Sequence, residues 1–289
     1  MTSTQTTSTS KRANNIQASI TLQISSLAQQ MKRDGKDVIA FSAGEPDFDT
    51  PENIKNAAIQ AITDGKNKYT PASGIVELKE AIIKKLKSDN DISYSTDQII
   101  ISCGAKHSVY NTLAALVNPG EEVIIPTPYW VSYPEQVSLV DGVSVFIETD
   151  DQSQFKITAE QFKNAITSKS KVLILNTPSN PTGMLYTEDE LRAIGELAVK
   201  HNIFILSDEI YEKLIYGNDK HISIAQLSDE IKEHTIVVNG VSKAYAMTGF
   251  RIGYTASSSD IAKAMNKMQS HMTSNPTANA QWGALEALD

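Results

Sequence analysis

The sequence predicts an α/β fold in which a mainly parallel central sheet lies between helices. Short apolar runs alternate with helical stretches from residue 98 to residue 256, which is the pattern of strands joined by helical crossovers. Most of these runs are apolar along their whole length, as expected for strands that are covered on both faces. Polar residues and glycines follow the ends of several runs, where open sheets of this kind bind ligands.

Three helices and one short strand are predicted before this repeating part. The first helix covers residues 20–36, and the strand follows at residues 38–41. Thr50 is the expected N-cap of the second helix, and Gly65 is expected to end it. The third helix covers residues 76–87.

The repeating part contains seven predicted strands. They lie at residues 98–102, 122–126, 143–148, 171–176, 203–207, 235–238 and 251–256. The clearest helix between them covers residues 187–202. It begins with a capping box, in which the side chains of Thr187 and Glu190 each bond to the backbone N–H of the other residue.

Length and charge restrict the class of protein. At 289 residues the chain can form one large domain or two ordinary ones, and 40% of apolar residues is enough for a buried core. The net charge of −8 argues against nucleic acid and against an anionic membrane surface as the main partner. The sequence has no apolar run of the roughly 18 residues that a membrane span needs, so we expect no membrane association.

The cysteine content and the first residues bear on location. Cys103 is the only cysteine, so no internal disulfide is possible, and we expect a cytoplasmic protein. Residues 1–15 are rich in serine and threonine, with two basic side chains and no acidic one. This composition weakly resembles a transit peptide, and we interpret the segment as a disordered tail.

Lys243 is the most informative candidate for chemistry. It follows the apolar run 235–238 and lies among small and apolar residues, where an ammonium group is poorly solvated. Burial disfavours the charged form, so this amine can become a nucleophile toward carbonyl compounds. The commonest carbonyl partner of such a lysine is pyridoxal 5'-phosphate, which we predict as the cofactor.

A phosphate group can be bound at the turn after residue 102. Gly104, Ala105 and Lys106 open a helix there, and the free N–H groups and dipole of a helix start favour an anion. Arg251 can supply a bidentate positive charge to the same phosphate. The alternatives are a glycine that serves only the geometry of the turn, and an arginine on the surface.

Asp208, Tyr211 and Asn180 follow the ends of two predicted strands. Asp208 ends an apolar run, and a buried carboxylate there requires a cationic or hydrogen-bonding partner. The protonated ring nitrogen of the cofactor is one such partner, while Tyr211 and Asn180 would share the ring phenolate oxygen. The alternatives are a helix N-cap for Asp208, a core position for Tyr211 and a simple turn at Asn180.

Trp130 follows a predicted strand directly, and its ring can either stack on the cofactor or pack in the core. The five histidines show no metal-ligand spacing, so no metal site is predicted. No Ser/His/Asp arrangement stands out, and the dinucleotide-binding pattern Gly-x-Gly-x-x-Gly is absent from the sequence.

Five motifs resemble those of fold-type I, class I aminotransferases, in particular their bacterial and plastid aspartate or aspartate/prephenate branch. The lysine motif comprises Gly240, Ser242 and Lys243, followed by a Gly-x-Arg-x-Gly pattern at residues 249–253. The other four motifs lie at residues 44–51, 68–74, 128–135 and 207–211. Gly240 stands where many members of the family carry serine, so one hydroxyl contact to the phosphate is missing.

The resemblance implies a domain organisation and an assembly. A PLP-transferase-like large domain would cover residues 48–289, and an N-terminal segment of a small domain would cover residues 16–47. The family continues into a C-terminal part of the small domain, which carries the arginine that binds the substrate α-carboxylate, so we expect the small domain to be incomplete in this chain. A homodimer with shared active sites is also implied, in which Tyr69 reaches the cofactor phosphate of the neighbouring subunit.

The resemblance further implies the residues that contact an amino acid or 2-oxo acid substrate. Gly44, Trp130 and Asn180 would touch it, whereas Lys106 and Thr21 would hold the distal carboxylate of a dicarboxylic substrate.

The implied reaction is transamination between aspartate and 2-oxoglutarate. Lys243 would hold the cofactor as a Schiff base, and the displaced amine would act as general base and acid. Asp208 and Tyr211 would complete the catalytic set. Two alternatives stay open, namely a β-lyase that uses the same cofactor on cysteine conjugates, and an inactive truncated homologue.

Overall fold

A seven-stranded sheet forms the centre of the computed structural model, which describes residues 9–289. The order of the strands across the sheet is first, seventh, sixth, fifth, fourth, second and third. In chain order the strands are β1 (Ile99–Ser102), β2 (Glu122–Pro126), β3 (Val143–Ile147), β4 (Ser170–Asn176), β5 (Phe204–Asp208), β6 (Thr235–Gly240) and β7 (Gly253–Ala256). The pairs formed by β2 to β6 are all parallel, so the predicted α/β fold with a mainly parallel sheet is confirmed.

Helices cover both faces of this sheet. No helix within residues 9–289 has the length and apolar character needed to cross a membrane. In chain order the helices are α1 (Lys11–Asn15), α2 (Ile20–Arg33), α3 (Glu52–Thr63), α4 (Val76–Asn90), α5 (Ala105–Leu116), α6 (Ser132–Leu139), α7 (Ala159–Ala165), α8 (Glu188–Lys200), α9 (Asp229–Glu233), α10 (Ser259–Met272) and α11 (Ala278–Leu288).

The direction of β7 determines which ends of the strands lie at the same edge of the sheet. β1 and β6 both run antiparallel to β7, so β1 shares its direction with β2 to β6. The carboxyl ends of these six strands therefore lie at one edge of the sheet, which we call the carboxyl edge and which includes Ser102, Asn176, Asp208 and Gly240. Because β7 is antiparallel, it begins at this same edge with Gly253, which pairs with Ser102 and Gly240.

Alternate residues of each strand face opposite sides of the sheet. In β4, Val172 and Ile174 belong to the core formed with α5, α6 and α10, whereas Leu173 and Leu175 pack with α7 and α8. All four side chains are buried. Covered faces on both sides explain why residues 172–175 of β4 are all apolar rather than alternating with polar ones.

The predicted capping box of α8 is confirmed. Thr187 Oγ1 accepts a hydrogen bond from the N–H of Glu190 at 3.3 Å, and Glu190 Oε2 accepts one from the N–H of Thr187 at 2.7 Å. Such a cap can be identified from sequence because both of its partners lie within one helical turn.

Two local predictions in the N-terminal part are wrong. Residues 38–41 form no strand, and Ile39 and Phe41 expose 80% and 95% of their surface, so no neighbouring strand or core covers them. Thr50 is not the N-cap of α3, because Pro51 occupies that position without a side-chain bond. The Thr50 hydroxyl instead donates to the carbonyl of Ala246 at 2.6 Å, a partner that is distant in sequence.

The predicted disordered tail, residues 1–15, lies partly outside the described residues. Within the described part, Lys11–Asn15 form α1, which differs from the prediction. Ser10 Oγ accepts from the N–H of Ala13 at 3.2 Å, and Arg12 pairs with Asp141 at 2.7 Å. A serine cap and a tertiary ion pair thus hold this turn. The domain boundaries at residues 16–47 and 48–289 stay predictions.

Gly253→Ala is expected to lower the free energy of unfolding by about 2 kcal/mol, because it overpacks a rigid contact. A Cβ atom at Gly253 would lie 2.2 Å from the nitrogen of Ala105 and 2.4 Å from the carbonyl carbon of Gly104. Both are backbone atoms, so neither can rotate away. Urea unfolding of the purified variant measures this change.

Gly249→Ala is the matched control, since a Cβ atom there meets no atom within 4 Å. It should alter the free energy of unfolding by no more than about 0.5 kcal/mol. Equal losses in the two variants would contradict the proposed contact between β7 and the start of α5.

Candidate active site

Five of the residues predicted to be functional lie at the carboxyl edge of the sheet. Asp208 ends β5, Lys243 follows β6, and Gly104 follows β1. Asn180 lies four residues after β4, and Arg251 lies two residues before β7. The segments that follow β1, β4 and β6, the end of β5 and the segment that precedes β7 therefore lie at the same edge of the sheet.

Asp208 carries a buried carboxylate with two hydrogen-bond donors. The hydroxyl of Tyr133 donates to Oδ2 at 2.7 Å, and the N–H of Ile210 donates to Oδ1 at 3.3 Å. Burial raises the pKa of Asp208 to about 6; the two hydrogen bonds lower it, and the nearby Glu209 carboxylate raises it. Residues 210–213 form turns rather than a helix, so the N-cap alternative for Asp208 is wrong.

Tyr211 and Asn180 are hydrogen-bonded to each other beside Asp208. Asn180 Nδ2 lies 3.3 Å from the Tyr211 hydroxyl, and the N–H of Asn180 donates to Asn176 Oδ1 at 2.7 Å. Asn176 Nδ2 in turn donates to the carbonyl of Asp208 at 2.8 Å. Burial, and then the charge of Asp208, raise the pKa of Tyr211, so its phenol keeps its proton and can donate it.

The amine of Lys243 lies beside the Tyr211 ring and the segment that contains Gly44. Lys243 Nζ is 5.8 Å from the centre of the Tyr211 ring and donates a hydrogen bond to the carbonyl of Gly44. Burial lowers the pKa of Lys243, the Glu45 carboxylate opposes this change, and Arg251 adds to it. The amine therefore loses its proton more easily than an ordinary lysine, as a nucleophile requires.

Gly104 and Arg251 form a cradle suited to an anion. Gly104 has a φ of +82°, and a Cβ atom there would lie 2.2 Å from Arg251 Nη2, so only glycine fits. Arg251 Nη1 donates to the carbonyl of Thr248 at 2.8 Å, and Nη2 donates to that of Cys103 at 3.5 Å. The guanidinium is thus fixed near the start of α5, where the N–H of His107 donates to the carbonyl of Gly104 at 2.9 Å, while those of Ala105 and Lys106 have no hydrogen-bond acceptor within residues 9–289.

Lys106 and Trp130 connect this cradle to Asp208. Lys106 Nζ lies 4.8 Å from the centre of the Trp130 ring, and Trp130 meets Tyr133 edge-on at 5.3 Å between ring centres. Burial, and then the charge of Arg251, lower the pKa of Lys106. Trp130 is half-buried and packs against the core, and its stacking on a cofactor stays a prediction.

Two predicted residues lie apart from this group. Tyr69 exposes 90% of its surface on the loop before α4, and Thr21 is a half-buried residue of α2. Within residues 9–289, neither side chain is hydrogen-bonded to the residues grouped above. Their predicted contacts, to a neighbouring subunit and to a substrate, stay predictions.

Two residues of the site were missed from the sequence. Tyr133 lies three residues after Trp130 in the first turn of α6, and its place in the 128–135 motif was the signal that could have indicated it. Glu45 likewise lies in a motif, that of residues 44–51, and it is joined to the site by a hydrogen bond from Thr248 Oγ1 at 2.7 Å, between residues 203 positions apart.

The fold and this group of residues define an α/β protein with a lysine amine of lowered pKa beside a cradle suited to an anion. Residues 36–289 match the family described as aminotransferase class I and II. A Bacillus subtilis (strain 168) protein named aspartate aminotransferase is 54% identical over 279 residues, which are 96% of this chain and 71% of that protein.

Further relatives agree with this match. A Rhizobium leguminosarum bv. phaseoli protein named probable aspartate/prephenate aminotransferase is 47% identical over 275 residues, which are 95% of this chain and 69% of that protein. The solved structure of aspartate aminotransferase from Thermus thermophilus with maleate has a TM-score of 0.94 and 43% identity. This similarity covers 97% of this chain and 72% of that one. The chain belongs to the class I and II aminotransferase family.

Asp208→Asn is expected to change how stability depends on pH. Because burial raises the pKa of Asp208 from 3.8 to about 6, the folded state binds this proton more tightly than the unfolded state. The stabilisation is fully present below the unfolded pKa and is lost as pH rises through about 6. Asparagine does not titrate, so the stability of the variant relative to the parent should improve by about 2 kcal/mol from pH ~4 to pH ~8.

Urea unfolding at a series of pH values measures this difference, since other titrating groups are common to both proteins. The control is Asp91→Asn, at an exposed carboxyl whose pKa the Lys87 ammonium lowers, and it should show no such improvement at high pH. A parallel pH profile for parent and Asp208→Asn would contradict the raised pKa.

Proposed function

We propose that this protein is a pyridoxal phosphate-dependent aminotransferase that moves an amino group between aspartate and 2-oxoglutarate. The observation that carries this proposal is the grouping of Lys243, Asp208 and Tyr211 beside the cradle of Gly104 and Arg251. The names of the relatives support aspartate as the amino donor.

The donor set fits the ring of pyridoxal phosphate. Asp208 is buried with a raised pKa and therefore gains from a cationic partner, which a protonated pyridine nitrogen supplies. Tyr211 and Asn180 place two donors beside the Lys243 amine, where they suit a ring phenolate oxygen. The half-buried Trp130 offers an aromatic surface next to Tyr133 on which such a ring can stack.

The cradle fits the phosphate. Arg251 provides a fixed guanidinium, and the start of α5 provides unpaired N–H groups, both of which favour a doubly charged anion. The absence of a side chain at Gly104 and Gly253 lets the backbone of the cradle, Arg251 and β7 approach closely. Gly240 contributes no hydroxyl, so recognition of the phosphate depends more heavily on Arg251 and the backbone.

When bound, pyridoxal phosphate supplies an aldehyde that bonds to amines and a protonated ring that withdraws electrons from the amino acid. Asp208 would hold the proton on the ring nitrogen, because a buried carboxylate stabilises an adjacent cation. Lys243 has a lowered pKa, so its free amine accepts the proton from the substrate Cα and then returns it as general acid. The Tyr211 hydroxyl accepts a hydrogen bond from Asn180 Nδ2, and its own proton would be donated to orient the reacting group.

Several residues are proposed to select a dicarboxylic substrate and to complete the site. Gly44, Trp130 and Asn180 would contact the substrate, and Lys106 and Thr21 would bind its distal carboxylate. Lys106 has a burial-lowered pKa and stands between Trp130 and Arg251, where an added carboxylate would restore its charge.

A homodimer is also proposed. Tyr69 exposes 90% of its surface, and its phenol would reach the phosphate of a neighbouring subunit. An exposed tyrosine of this kind suits an interface, because it combines a large apolar ring with a polar tip.

Borohydride reduction of the protein mixed with pyridoxal phosphate should fix the mass of the reduced cofactor on the peptide that contains Lys243. A neutral amine forms the reducible bond, and the lowered pKa of Lys243 favours that form. Peptide mapping by mass spectrometry locates the label, and Lys243→Ala should lose it.

Lys79 is the internal control of this experiment. Burial also lowers the pKa of Lys79, but its Nζ donates to Ser73 Oγ at 2.7 Å and to the carbonyl of Thr96 at 3.2 Å, away from the site. It should stay unlabelled. Label on Lys79 instead of Lys243, or no label at all, would sink the proposal.

Lys106→Met is expected to reduce kcat/KM for aspartate relative to alanine by about tenfold, because one charge-assisted hydrogen bond to the distal carboxylate is lost. Both amino acids are compared at saturating cofactor, so any effect of Lys106 on cofactor binding cancels in the ratio. Lys66→Met is a control, since Lys66 lies over the distant Trp282 ring at 3.4 Å and should leave the ratio unchanged. An unchanged ratio in Lys106→Met would remove Lys106 from substrate selection.

A further inference from the structure

Gln269 is a buried glutamine of α10 that bonds to three other parts of the chain. Its Nε2 donates to the carbonyl of Ala72 at 2.6 Å and to that of Ile101 at 2.7 Å. Its Oε1 accepts from Ser102 Oγ and from Asn111 Nδ2, both at 2.8 Å. Two carbonyl partners on one side and two donors on the other use the full hydrogen-bonding capacity of the amide and fix its orientation.

Two of these bonds complete the open side of β1. This strand lies at the edge of the sheet and, among the strands of residues 9–289, pairs only with β7. On its other side, the N–H of Ile101 donates to the carbonyl of Ser73 at 3.0 Å, and its carbonyl accepts from Gln269. The side chain of Ser102, the last residue of β1, also bonds to Gln269. Gln269 therefore fixes the strand end two residues before Gly104.

A third bond reaches the helix that follows Gly104. Asn111 lies on α5, and its amide donates to the same Gln269 oxygen that Ser102 uses. The strand before the anion cradle and the helix after it are thus joined to one side chain. Asn111, Ser102 and Gln269 are all fully buried, so water does not compete for these bonds.

We propose that Gln269 is a positioning residue for phosphate recognition, which sets β1 and α5 at the spacing that Gly104 and the first N–H groups of α5 need. The inference rests on the proposed use of pyridoxal phosphate. Gln269 has its bonding groups filled by protein atoms, so it acts on the phosphate only through the backbone that it holds. Without its amide, the carbonyls of Ala72 and Ile101 lose their donor, and the cradle loses the brace between its two sides.

Gln281 provides a matched control within the same chain. It is also a fully buried glutamine, and it bonds to the N–H of Ile75 at 2.8 Å, to Thr70 Oγ1 at 3.2 Å and to the carbonyl of Pro276 at 3.0 Å. It therefore holds the loop before α4, as Gln269 does through Ala72, but its bonds involve neither β1 nor α5. Loss of Gln281 removes buried hydrogen bonds of similar number without touching the cradle.

The test compares the dissociation constants of pyridoxal phosphate and pyridoxal, measured by equilibrium dialysis. The intrinsic ability of each compound to bond to Lys243 is the same in every variant, so a change of this ratio between variants reports a change in recognition of the phosphate. Gln269→Leu and Gln281→Leu are made in a Tyr69→Phe background, which removes any phosphate contact of that phenol from the comparison. Gln269→Leu should lower the preference for pyridoxal phosphate by about tenfold or more, and Gln281→Leu should leave it within about twofold.

The possible outcomes separate this inference from the proposed function. A parent protein without preference for pyridoxal phosphate over pyridoxal overturns the proposed function and, with it, this inference. A parent with that preference and an unchanged or equally reduced ratio in both glutamine variants overturns only the role of Gln269. If Gln269→Leu does not fold, Asn111→Ala, which removes only the α5 side of the brace, should give a smaller loss in the same ratio, and no loss there overturns the inference.

Discussion

The site depends on the burial of one carboxylate, that of Asp208 at the end of β5. Removing this group from water raises its pKa to about 6, so the carboxylate is destabilised at neutral pH by an amount that the hydrogen bonds from Tyr133 and Ile210 offset only in part. Neighbouring residues are arranged around this constraint, since Asn176 bonds to the Asp208 backbone and also fixes the segment that carries Asn180. Burial of the Asp208 carboxylate therefore lowers the stability of the folded state at neutral pH, and binding of a ligand that carries a cation beside this carboxylate would offset that loss.

The reversed strand β7 explains how a lysine and an arginine eight residues apart serve the same site. Lys243 leaves the sheet at the carboxyl end of β6, and the chain must return to that edge before β7 can begin antiparallel to β6. Arg251 lies at this return, with a φ of +56°, a left-handed conformation that is uncommon for a residue with a side chain. The pairing of Gly253 with Ser102 then carries Arg251 to the end of β1, where its guanidinium meets Gly104. Because β7 lies between β6 and β1, the motif that contains Lys243 and Arg251 places one side chain at the end of β6 and the other at the end of β1.

The sequence was most informative where partners are local or where a regular pattern repeats. The strands, the capping box at Thr187 and the placement of Asp208 and Lys243 after strands follow from apolar runs and short-range chemistry, and the structure confirms them. Contacts between distant segments could not be predicted in this way. Thr50 is of a residue type that often caps helices, yet its hydroxyl bonds to the carbonyl of Ala246. Residues 38–41 are mostly apolar, yet they form no strand. The roles of Tyr133 and Gln269 could not be predicted from local sequence either, because they depend on which distant segments the order of the strands places beside these residues.

The two titrating groups at the centre of the site have pKa values shifted in opposite directions, upward for Asp208 and downward for Lys243. Burial raises the pKa of Asp208 and lowers that of Lys243, whereas an ion pair between them would have shifted both in the opposite directions. Tyr211 lies close to both, with its ring 5.8 Å from the lysine nitrogen and its pKa raised by burial and then by the charge of Asp208. The acid and the amine are therefore kept for different partners rather than for each other. Such opposed shifts are typical of a site whose groups must act separately on one bound molecule, the carboxylate by stabilising a positive charge and the amine by taking up a proton.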